Sequence, residues 1–312
     1  MIVVNFNCAS TLGRCLESIR AQTVRAHRVI VVDNGSSDDS AAVAAAGYPE
    51  FQFISLQYNS GFAAANNLAA RMADECAWFA LVNPDAFLAP DWLEQMLNAV
   101  ERYPGAGCLA SCLIMDGTPD LLDGAGDIVH ASGLVWRRAH GQPLATEPSG
   151  EREVFSCCAA AALYRADAFL QLEGFDETFF CYVEDVDLGF RLRLAGYSCW
   201  YVPAACARHV GSASSGGKRS RFAVYHGHRN LVWCYAKNMP SILLWACLPL
   251  HLTATALTLL LFSLRGMGGV ILRAKVDAIR GLPRVWRQRQ VVQRARAVSA
   301  GAIWRALDKR PW

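Results

Sequence analysis

The first hundred residues alternate between short apolar runs and segments with helical periodicity, and this alternation restricts the chain to few folds. Strands are predicted at "IVVNFN", "HRVIVVDN", "FQFISLQ" and "CAWFALVNP". Helices are predicted at "STLGRCLESIRAQ", "DDSAAVAAAG", "GFAAANNLAARMADE" and "PDWLEQMLNAVERYP". Four strand–helix units in succession predict a doubly wound α/β protein with a mostly parallel sheet.

The second predicted strand ends on a carboxylate. Its apolar run "VIVV" leads directly into Asp33 and then into the small polar residues "NGSSDDS". Ligands of open α/β sheets bind just beyond the carboxyl ends of the strands, so Asp33 is a candidate ligand-binding residue. The alternative is that Asp33 caps the turn that Asn-Gly favours.

The second half of the chain is less regular. Residues 106–153 are rich in Gly and Pro and predict strands and loops. Helices are expected at 165–172 and 180–196, and a strand at 198–203. Beyond a Gly/Ser-rich stretch, helical periodicity resumes at 224–238.

Residues 242–264 contain no charged side chain and are long enough to cross a bilayer. The chain beyond them carries twelve Lys and Arg against two Asp. This basic tail favours the cytoplasmic side, where the acidic body is also expected, so an in-plane or re-entrant segment fits better than a single span. A buried helix pair in a soluble oligomer is the alternative. Nucleic acid is not an expected partner, because no recognised binding motif accompanies the arginines.

The twelve cysteines contain no CxxC pair, and several lie in apolar runs. This usage predicts reduced thiols that fill the core, and it argues against a disulfide framework or a zinc site. The sequence opens at once on a predicted strand, so the body is expected to stay in the cytoplasm.

Five stretches, "VVNFN", "VVDNGSSDDS", "NSGFAAANN", "LVNPDAFL" and "GFDETFFCYVEDVDLGFRLRLAGY", occur in this order. Together they resemble the inverting family 2 glycosyltransferases of the GT-A fold, and specifically the bacterial rhamnosyltransferase-like branch. The resemblance covers about residues 2–211. It implies a Rossmann-like, mostly parallel sheet flanked by helices in 1–211, with a nucleotide-sugar-binding half at 1–85 and an acceptor and catalytic half at 86–211. A helical, membrane-associated region is expected at 212–312.

The resemblance also implies a donor site. In the family the aspartate that ends the second strand contacts the nucleotide, and Asp33 holds that position. The donor-binding residues expected here are Asn5, Asp33, Asn59, Gly61, Asn66 and Asn83. Amides at the start of the helix in "NSGFAAANN" suit phosphate or sugar hydroxyls, although a glycine turn with a solvated face gives the same pattern.

"NPD" resembles the acidic metal motif of the family, with Asn83 in place of the first aspartate. Asp85 is therefore expected to hold Mg²⁺ or Mn²⁺, which would offset the charge of a leaving diphosphate. His209 matches a family histidine that completes the metal site, and imidazole suits Mn²⁺ better than Mg²⁺. The alternatives are a plain turn at Asn-Pro-Asp and a structural histidine.

Glu184, Asp185 and Asp187 form the candidate catalytic cluster. In the family's "ED" motif the aspartate is the base that activates the acceptor hydroxyl, and this role falls on Asp185. Glu184 is expected to contact the acceptor or orient the base, and Asp187 to support them. Acidic residues at a helix N-terminus also stabilise the helix without any catalytic role.

The resemblance implies an inverting, metal-dependent glycosyltransferase of the hexosyltransferase type. The expected reaction moves rhamnose from dTDP-rhamnose to a lipid-linked glycan, at the cytoplasmic face of the bacterial inner membrane, in cell-surface polysaccharide synthesis. The membrane surface would be met through residues 242–264 and the basic tail. Two alternatives stay open: a transferase for a UDP-hexose or galactofuranose donor, and a catalytically silent nucleotide-sugar-binding scaffold. An oxidoreductase is disfavoured because no G-x-G-x-x-G follows the first strand.

Overall fold

The computed structural model describes residues 1–73, 75–118, 120–147, 149–211 and 220–310. The strands are β1 (Ile2–Asn5), β2 (Ile30–Asp33), β3 (Gln52–Ser55), β4 (Trp78–Val82), β5 (Ala86–Leu88), β6 (Ala106–Met115), β7 (Leu122–Gly124), β8 (Asp127–Val129), β9 (Val135–Arg137), β10 (Arg152–Glu153), β11 (Ala161–Arg165) and β12 (Ser198–His209). The α-helices are α1 (Leu12–Arg20), α2 (Ser40–Gly47), α3 (Phe62–Arg71), α4 (Trp92–Arg102), α5 (Ala166–Gln171), α6 (Glu184–Leu194), α7 (Arg221–Asn238), α8 (Ser241–Ala246), α9 (Leu248–Leu264), α10 (Gly268–Arg294) and α11 (Ala300–Ala306). Two 3-10 turns lie at Leu144–Thr146 and Glu177–Phe179.

One mixed sheet has the strand order β10, β12, β6, β11, β4, β1, β2, β3, with β5 beside β12 and β7 beside β6. β1 pairs in parallel with β2 and β4, and β2 pairs in parallel with β3. One helix follows each of β1, β2 and β3, and α4 follows the β4–β5 pair. The predicted alternation of strands and helices is confirmed, and so is the parallel first half.

Antiparallel strands complete the second half of the sheet. β11 lies antiparallel between β4 and β6, whereas β12 runs parallel to β6 and antiparallel to β5. The strand predicted at 198–203 was too short, because a register shift after Val202 accommodates Pro203 inside a strand of twelve residues. The extension brings His209 opposite Ala86 of β5.

The two faces of the sheet pack against separate layers of apolar side chains. Ile2 and Val4 of β1 belong to one buried cluster, and Val3 belongs to the other. This alternation follows from the period of two in a strand and explains why β1 and β2 are apolar throughout. The twelve cysteines are free thiols, and most are buried in these layers.

Helices α7–α11 share a third buried cluster with the second half of the body. This cluster joins Phe179 and Phe190 to Trp233 of α7 and Ala278 of α10. The Trp233 Nε1–H donates to the Ala278 carbonyl at 2.9 Å and so ties the two longest helices together. The C-terminal helices are therefore fixed against the elements that carry the acidic cluster.

The uncharged segment at 242–264 forms two helices, α8 and α9, which meet at Cys247. Pro249 lies in the first turn of α9, a position that a helix tolerates. Within the described ranges, no helix has both the length and the apolar character needed to cross a membrane.

Candidate active site

The structure brings Asn5 and Asp33 together at the carboxyl ends of β1 and β2, where they are partners in the parallel register. The side-chain amide of Asn5 donates to Asp33 Oδ1 at 2.9 Å and to the hydroxyls of Ser36 and Ser40. The Ser36 N–H also donates to Asp33 Oδ2 at 3.3 Å. Asp33 thus caps its turn, as the alternative reading expected, and it also lies at the sheet edge where ligands of such folds bind.

The loop before α3 is tied to the loop after β2. Asn34 Nδ2 donates to Asn59 Oδ1 at 3.0 Å, and the Gly61 N–H donates to the same Asn59 oxygen at 2.9 Å. Gly61 has φ +91°, and a Cβ on it would lie 2.6 Å from the Phe180 ring. A glycine is required here, because the loop touches the segment that leads into the acidic cluster.

The two asparagines inside α3 have different surroundings. Asn66 is buried, and its amide donates to the Phe62 carbonyl one turn earlier at 2.9 Å. Asn67 exchanges two hydrogen bonds with the backbone of Phe175, at 2.8 and 2.9 Å. Asn67 therefore joins α3 to the segment before the acidic cluster, which explains an asparagine within a run of alanines.

Asp85 and His209 also converge, and Asn83 lies two residues before Asp85. Asn83 follows β4, and Asp85 precedes β5, which pairs with the end of β12. His209 Nε2 lies 3.3 Å from Asp85 Oδ1, and both side chains are buried. Two residues that lie far apart in the sequence thus meet as the resemblance implied.

These side chains fit a divalent ion in their chemistry. Asp85 and His209 offer a carboxylate and an imidazole nitrogen, a pair that suits Mn²⁺ and, without the imidazole, Mg²⁺. His209 Nε2 and Asn83 Oδ1 are buried and form no hydrogen bond with the described residues, which is uncommon for buried polar atoms. In the described part of the chain, no group of three or more His, Cys, Asp or Glu has metal-binding geometry. The protein would thus supply part of a coordination shell, and phosphate and water the rest.

His209 has a second carboxylate neighbour that the sequence analysis missed. Its Nδ1 lies 2.7 Å from Asp123 Oδ2, and Asp123, at the centre of β7, is also ion-paired with Arg137 of β9. Burial acts to lower the pKa of His209, but the neighbouring carboxylates of Asp123 and Asp85 outweigh it and raise the pKa. Asp123 belongs to the irregular region 106–153, where no helical or strand period pointed to it.

The segment before α6 is strained. The helix predicted at 180–196 begins only at Glu184, because Phe180, Tyr182 and Val183 have φ of 66°, 70° and 71°. A β-branched residue such as Val183 rarely adopts this conformation. Asn230 of α7 holds the segment, since its buried side-chain amide donates to three carbonyl oxygens of residues 179–182 at 2.8 to 3.0 Å.

Asp185 is held in place at the N-terminus of α6. Its Oδ2 accepts the Ala159 N–H at 3.1 Å, and its Oδ1 accepts the Val186 N–H at 2.8 Å. Burial raises the pKa of Asp185, while these N–H groups and the charge of Arg137 oppose the rise. A partly exposed carboxylate with a raised pKa is suited to accept a proton.

The other two acids of the cluster differ from Asp185. Glu184 is buried and its Oε2 has no hydrogen-bond partner in the described residues. Burial and the charge of Asp185 raise the pKa of Glu184 well above its ordinary value. Asp187 instead contacts Arg191, Lys237 and Asn238 in the interior, as expected for a supporting residue.

Asp127 is a further carboxyl group that the sequence analysis missed. It is buried and accepts a hydrogen bond from the Ser156 hydroxyl at 2.9 Å. Burial, followed by the charge of Asp185, raises its pKa to about 8. The signal in the sequence was "DGAGD", in which two acids flank glycines in an otherwise apolar setting.

Arg137 joins the two acidic groups. Its charge interacts with Asp123 on the His209 side and with Asp127 and Asp185 near α6. The site therefore combines an amide-rich edge, the Asp85–His209 pair and the partly exposed carboxylate of Asp185. Such a combination can bind a nucleoside diphosphate and activate a hydroxyl group.

Comparisons with known proteins agree with this chemistry. The model of Glycosyl transferase family 2 matches residues 1–172. The chain is 33% identical over 254 residues to the N-acetylglucosaminyl-diphospho-decaprenol L-rhamnosyltransferase of Mycobacterium tuberculosis (strain ATCC 25618 / H37Rv). The matched region covers 72% of this chain and 80% of the relative. It is 28% identical over 230 residues to the rhamnosyltransferase WbbL of Escherichia coli (strain K12), with 67% of this chain and 82% of WbbL covered.

Solved structures share the fold. GalNAc-T7 with UDP, GalNAc and Mn²⁺ has a TM-score of 0.62 at 14% identity, covering 77% of this chain and 48% of that one. The mannosyltransferase PcManGT from Pyrobaculum calidifontis, in complex with GDP-Man and Mn²⁺, has a TM-score of 0.55 at 18% identity over 98% of this chain and 85% of that one. The GT-A-like α/β architecture is thereby confirmed.

Proposed function

This chain belongs to glycosyltransferase family 2, and on that basis we propose that it transfers L-rhamnose from dTDP-rhamnose to a lipid-linked glycan, with inversion, in cell-surface polysaccharide synthesis. Its rhamnosyltransferase relatives support the sugar. The observation that carries the proposal is the convergence of Asp85 and His209 beside the edge where Asn5 and Asp33 end their strands.

The donor binds along that edge. Asn5, Asp33, Asn59, Gly61, Asn66 and Asn83 are the proposed donor-binding residues. The Asp33 carboxylate accepts hydrogen bonds from ribose or base, while its bonds from Asn5 and Ser36 keep it oriented. Orientation of this kind contributes to catalysis, because it places the anomeric carbon before the acceptor arrives.

Asp85 and His209 hold the metal ion in this proposal, with Asn83 beside them. A bound Mg²⁺ or Mn²⁺ supplies compensation for the negative charge of the diphosphate. Two solved structures that share the fold, GalNAc-T7 and PcManGT, contain Mn²⁺, and this likeness supports the assignment at the level of the fold.

Asp185 is the proposed base. The acceptor hydroxyl gives its proton to the Asp185 carboxylate as its oxygen forms a bond to the anomeric carbon, and the bond from that carbon to the diphosphate breaks with its electron pair. Attack opposite to the leaving group inverts the anomeric centre. Ala159 and Val186 fix the carboxylate through their N–H groups, and Glu184 beside it contacts the acceptor or orients the base.

The acceptor is expected to lie at a membrane surface. The name of the mycobacterial relative specifies an acceptor that carries a diphosphate and a decaprenyl chain. Large apolar side chains are exposed on α8 and α9, among them Ile242, Trp245, Leu252, Leu260 and Leu264. Exposed arginines of α10, such as Arg273 and Arg280, accompany them. An apolar surface with a basic border fits in-plane contact with anionic lipid.

Vesicle co-sedimentation tests this surface. The double variant Leu252→Asp with Leu260→Asp should lose binding to anionic vesicles, because both side chains are 57% exposed and would carry charge into the bilayer interface. Val43→Asp is the control, since Val43 is 64% exposed on α2. Equal binding of the double variant and the control would contradict the assignment.

The proposal places residues 1–211 as the catalytic domain, with its donor half at 1–85 and its acceptor half at 86–211. Residues 212–312 are the membrane-associated region. The site of action is then the cytoplasmic face of the bacterial inner membrane, where nucleotide sugars and the basic tail would both be found.

Direct transfer tests the function. The full chain is incubated with dTDP-rhamnose, UDP-hexoses and UDP-galactofuranose, a synthetic N-acetylglucosaminyl-diphospho-polyprenol, and Mn²⁺, Mg²⁺ or EDTA. Rhamnosylated lipid, with an anomeric configuration opposite to that of the donor, is the expected product. Transfer from a UDP-sugar alone would favour the alternative donor. Nucleotide binding without transfer from any donor would favour a silent scaffold.

A further inference from the structure

We propose that Asp123 is a positioning residue, which holds the His209 imidazole so that Nε2 faces Asp85 and the metal ion. The inference rests on the metal-dependent function proposed above. Asp123 lies in an irregular part of the sequence, 86 positions before His209.

The first argument is the hydrogen bond itself. Asp123 Oδ2 and His209 Nδ1 are 2.7 Å apart, and both side chains are only 3% exposed. A carboxylate can only accept here, so the bond places the hydrogen on Nδ1. In neutral imidazole the lone pair is then on Nε2, the nitrogen that lies 3.3 Å from Asp85 Oδ1.

The second argument is that Asp123 is itself fixed on several sides. Arg137 is ion-paired with its Oδ2, and the His140 ring nitrogen lies 3.3 Å from Oδ1 and 2.9 Å from the Asp123 carbonyl. Gly124, the next residue, packs against the Arg137 side chain, where an added Cβ would lie 3.1 Å from Cδ. A carboxylate held this firmly can set the angle of the imidazole ring.

The third argument is chemical. Metal-binding histidines commonly donate their second N–H to a carboxylate, which selects the tautomer and makes the ligand nitrogen more basic. Asp123, His209 and Asp85 follow this order along one line of contacts. Asp123 contacts His209 at Nδ1, whereas Asp85 lies near Nε2, so the effect of Asp123 on the metal site would pass through His209.

A structural role is the competing explanation, because Asp123 could serve only to neutralise Arg137. A double-mutant cycle separates the two roles. If Asp123 only neutralises Arg137, then adding Arg137→Met to Asp123→Ala should restore the Mn²⁺ binding that Asp123→Ala loses. If Asp123 positions His209, the double variant should remain as defective as Asp123→Ala.

The experiment measures Mn²⁺ binding to the full chain with dTDP present and without turnover. Electron paramagnetic resonance gives the affinity, and pulsed methods report the histidine nitrogen on the ion. Asp123→Ala should weaken Mn²⁺ binding about 10- to 100-fold and diminish the nitrogen signal, as should the double variant. Asp123→Asn, which keeps the shape, should fall between Asp123→Ala and wild type.

Asp116→Asn is the matched control, because Asp116 pairs with exposed Arg14 near the same end of β6 and should bind Mn²⁺ as the wild type does. Wild-type affinity in folded Asp123→Asn and Asp123→Ala, or recovery in the double variant, would overturn the inference. Absence of Mn²⁺ binding in the wild type would instead overturn the metal-dependent function on which it rests.

Discussion

The carboxyl groups of the donor edge, where Asn5 and Asp33 end their strands, and those of the acidic region around α6 have different surroundings. At the donor edge, Asp33 receives hydrogen bonds from the Asn5 amide and the Ser36 backbone, so its orientation is set by neutral donors. Around α6, burial raises the pKa of Glu184, Asp185 and Asp127, and the charge of Asp185 adds to the rise at Glu184 and Asp127. In the proposed function, the first arrangement would position the donor, and the second would prepare groups for proton transfer.

The largest expected effect removes the base. Asp185→Asn should lower kcat about 10²- to 10⁴-fold, because the amide cannot accept the acceptor proton while its oxygen can still receive a backbone N–H. Steady-state transfer kinetics measure the loss, and unchanged donor binding shows that the site persists. Asp167→Asn in the first turn of α5 is the control. Activity within a few-fold of wild type would remove Asp185 from the mechanism.

A smaller effect is expected at the donor edge. Asn5→Ala should lower the free energy of unfolding by about 1–3 kcal/mol, because it deletes hydrogen bonds to Asp33, Ser36 and Ser40 in a buried setting. Urea denaturation without ligand measures the change. Exposed Gln57→Ala serves as the control and should be neutral. A neutral Asn5→Ala would mean that the edge is not held by this network.

The effect expected at Asp127 depends on pH. A raised pKa of about 8 means that folded Asp127 resists ionisation, whereas the unfolded side chain ionises near pH 4. The wild type therefore loses stability through this group as the pH rises from about 4 to about 8. Asp127→Asn should gain stability relative to wild type across that window, as measured by thermal unfolding at each pH. If the difference in stability between Asp127→Asn and wild type did not change with pH, Asp127 would ionise as readily in the folded state as in the unfolded one.

The donor edge could largely be predicted from the sequence, because apolar strands that end on polar residues place Asn5, Asp33 and Asn83 by local pattern. The acidic region could be predicted only in part. Asp123 and Asp127 lie within three-residue strands of an irregular segment, and Asp123 meets His209 only after β7 and β12 have both joined β6. Such short strands carry no recognisable period.

The start of α6 shows a second limit of local reasoning. Periodicity predicted that the helix begins at residue 180. Val183, just before the observed start of α6, instead has a positive φ, which a β-branched residue disfavours. The contacts of Asn230 with residues 179–182 come from a helix about fifty positions later. Tertiary contacts decide this geometry, and it fixes where Asp185 lies.

The most direct test of the account is thermal unfolding of the full chain with dTDP-rhamnose, in Mn²⁺ or EDTA, for wild type and Asp85→Ala. A ligand at 100 times its Kd stabilises the folded state by about 2.7 kcal/mol. The account predicts a rise in Tm for wild type with Mn²⁺ that shrinks sharply in EDTA and in Asp85→Ala. An equal rise in all these conditions would contradict a metal-assisted diphosphate site at Asp85 and His209.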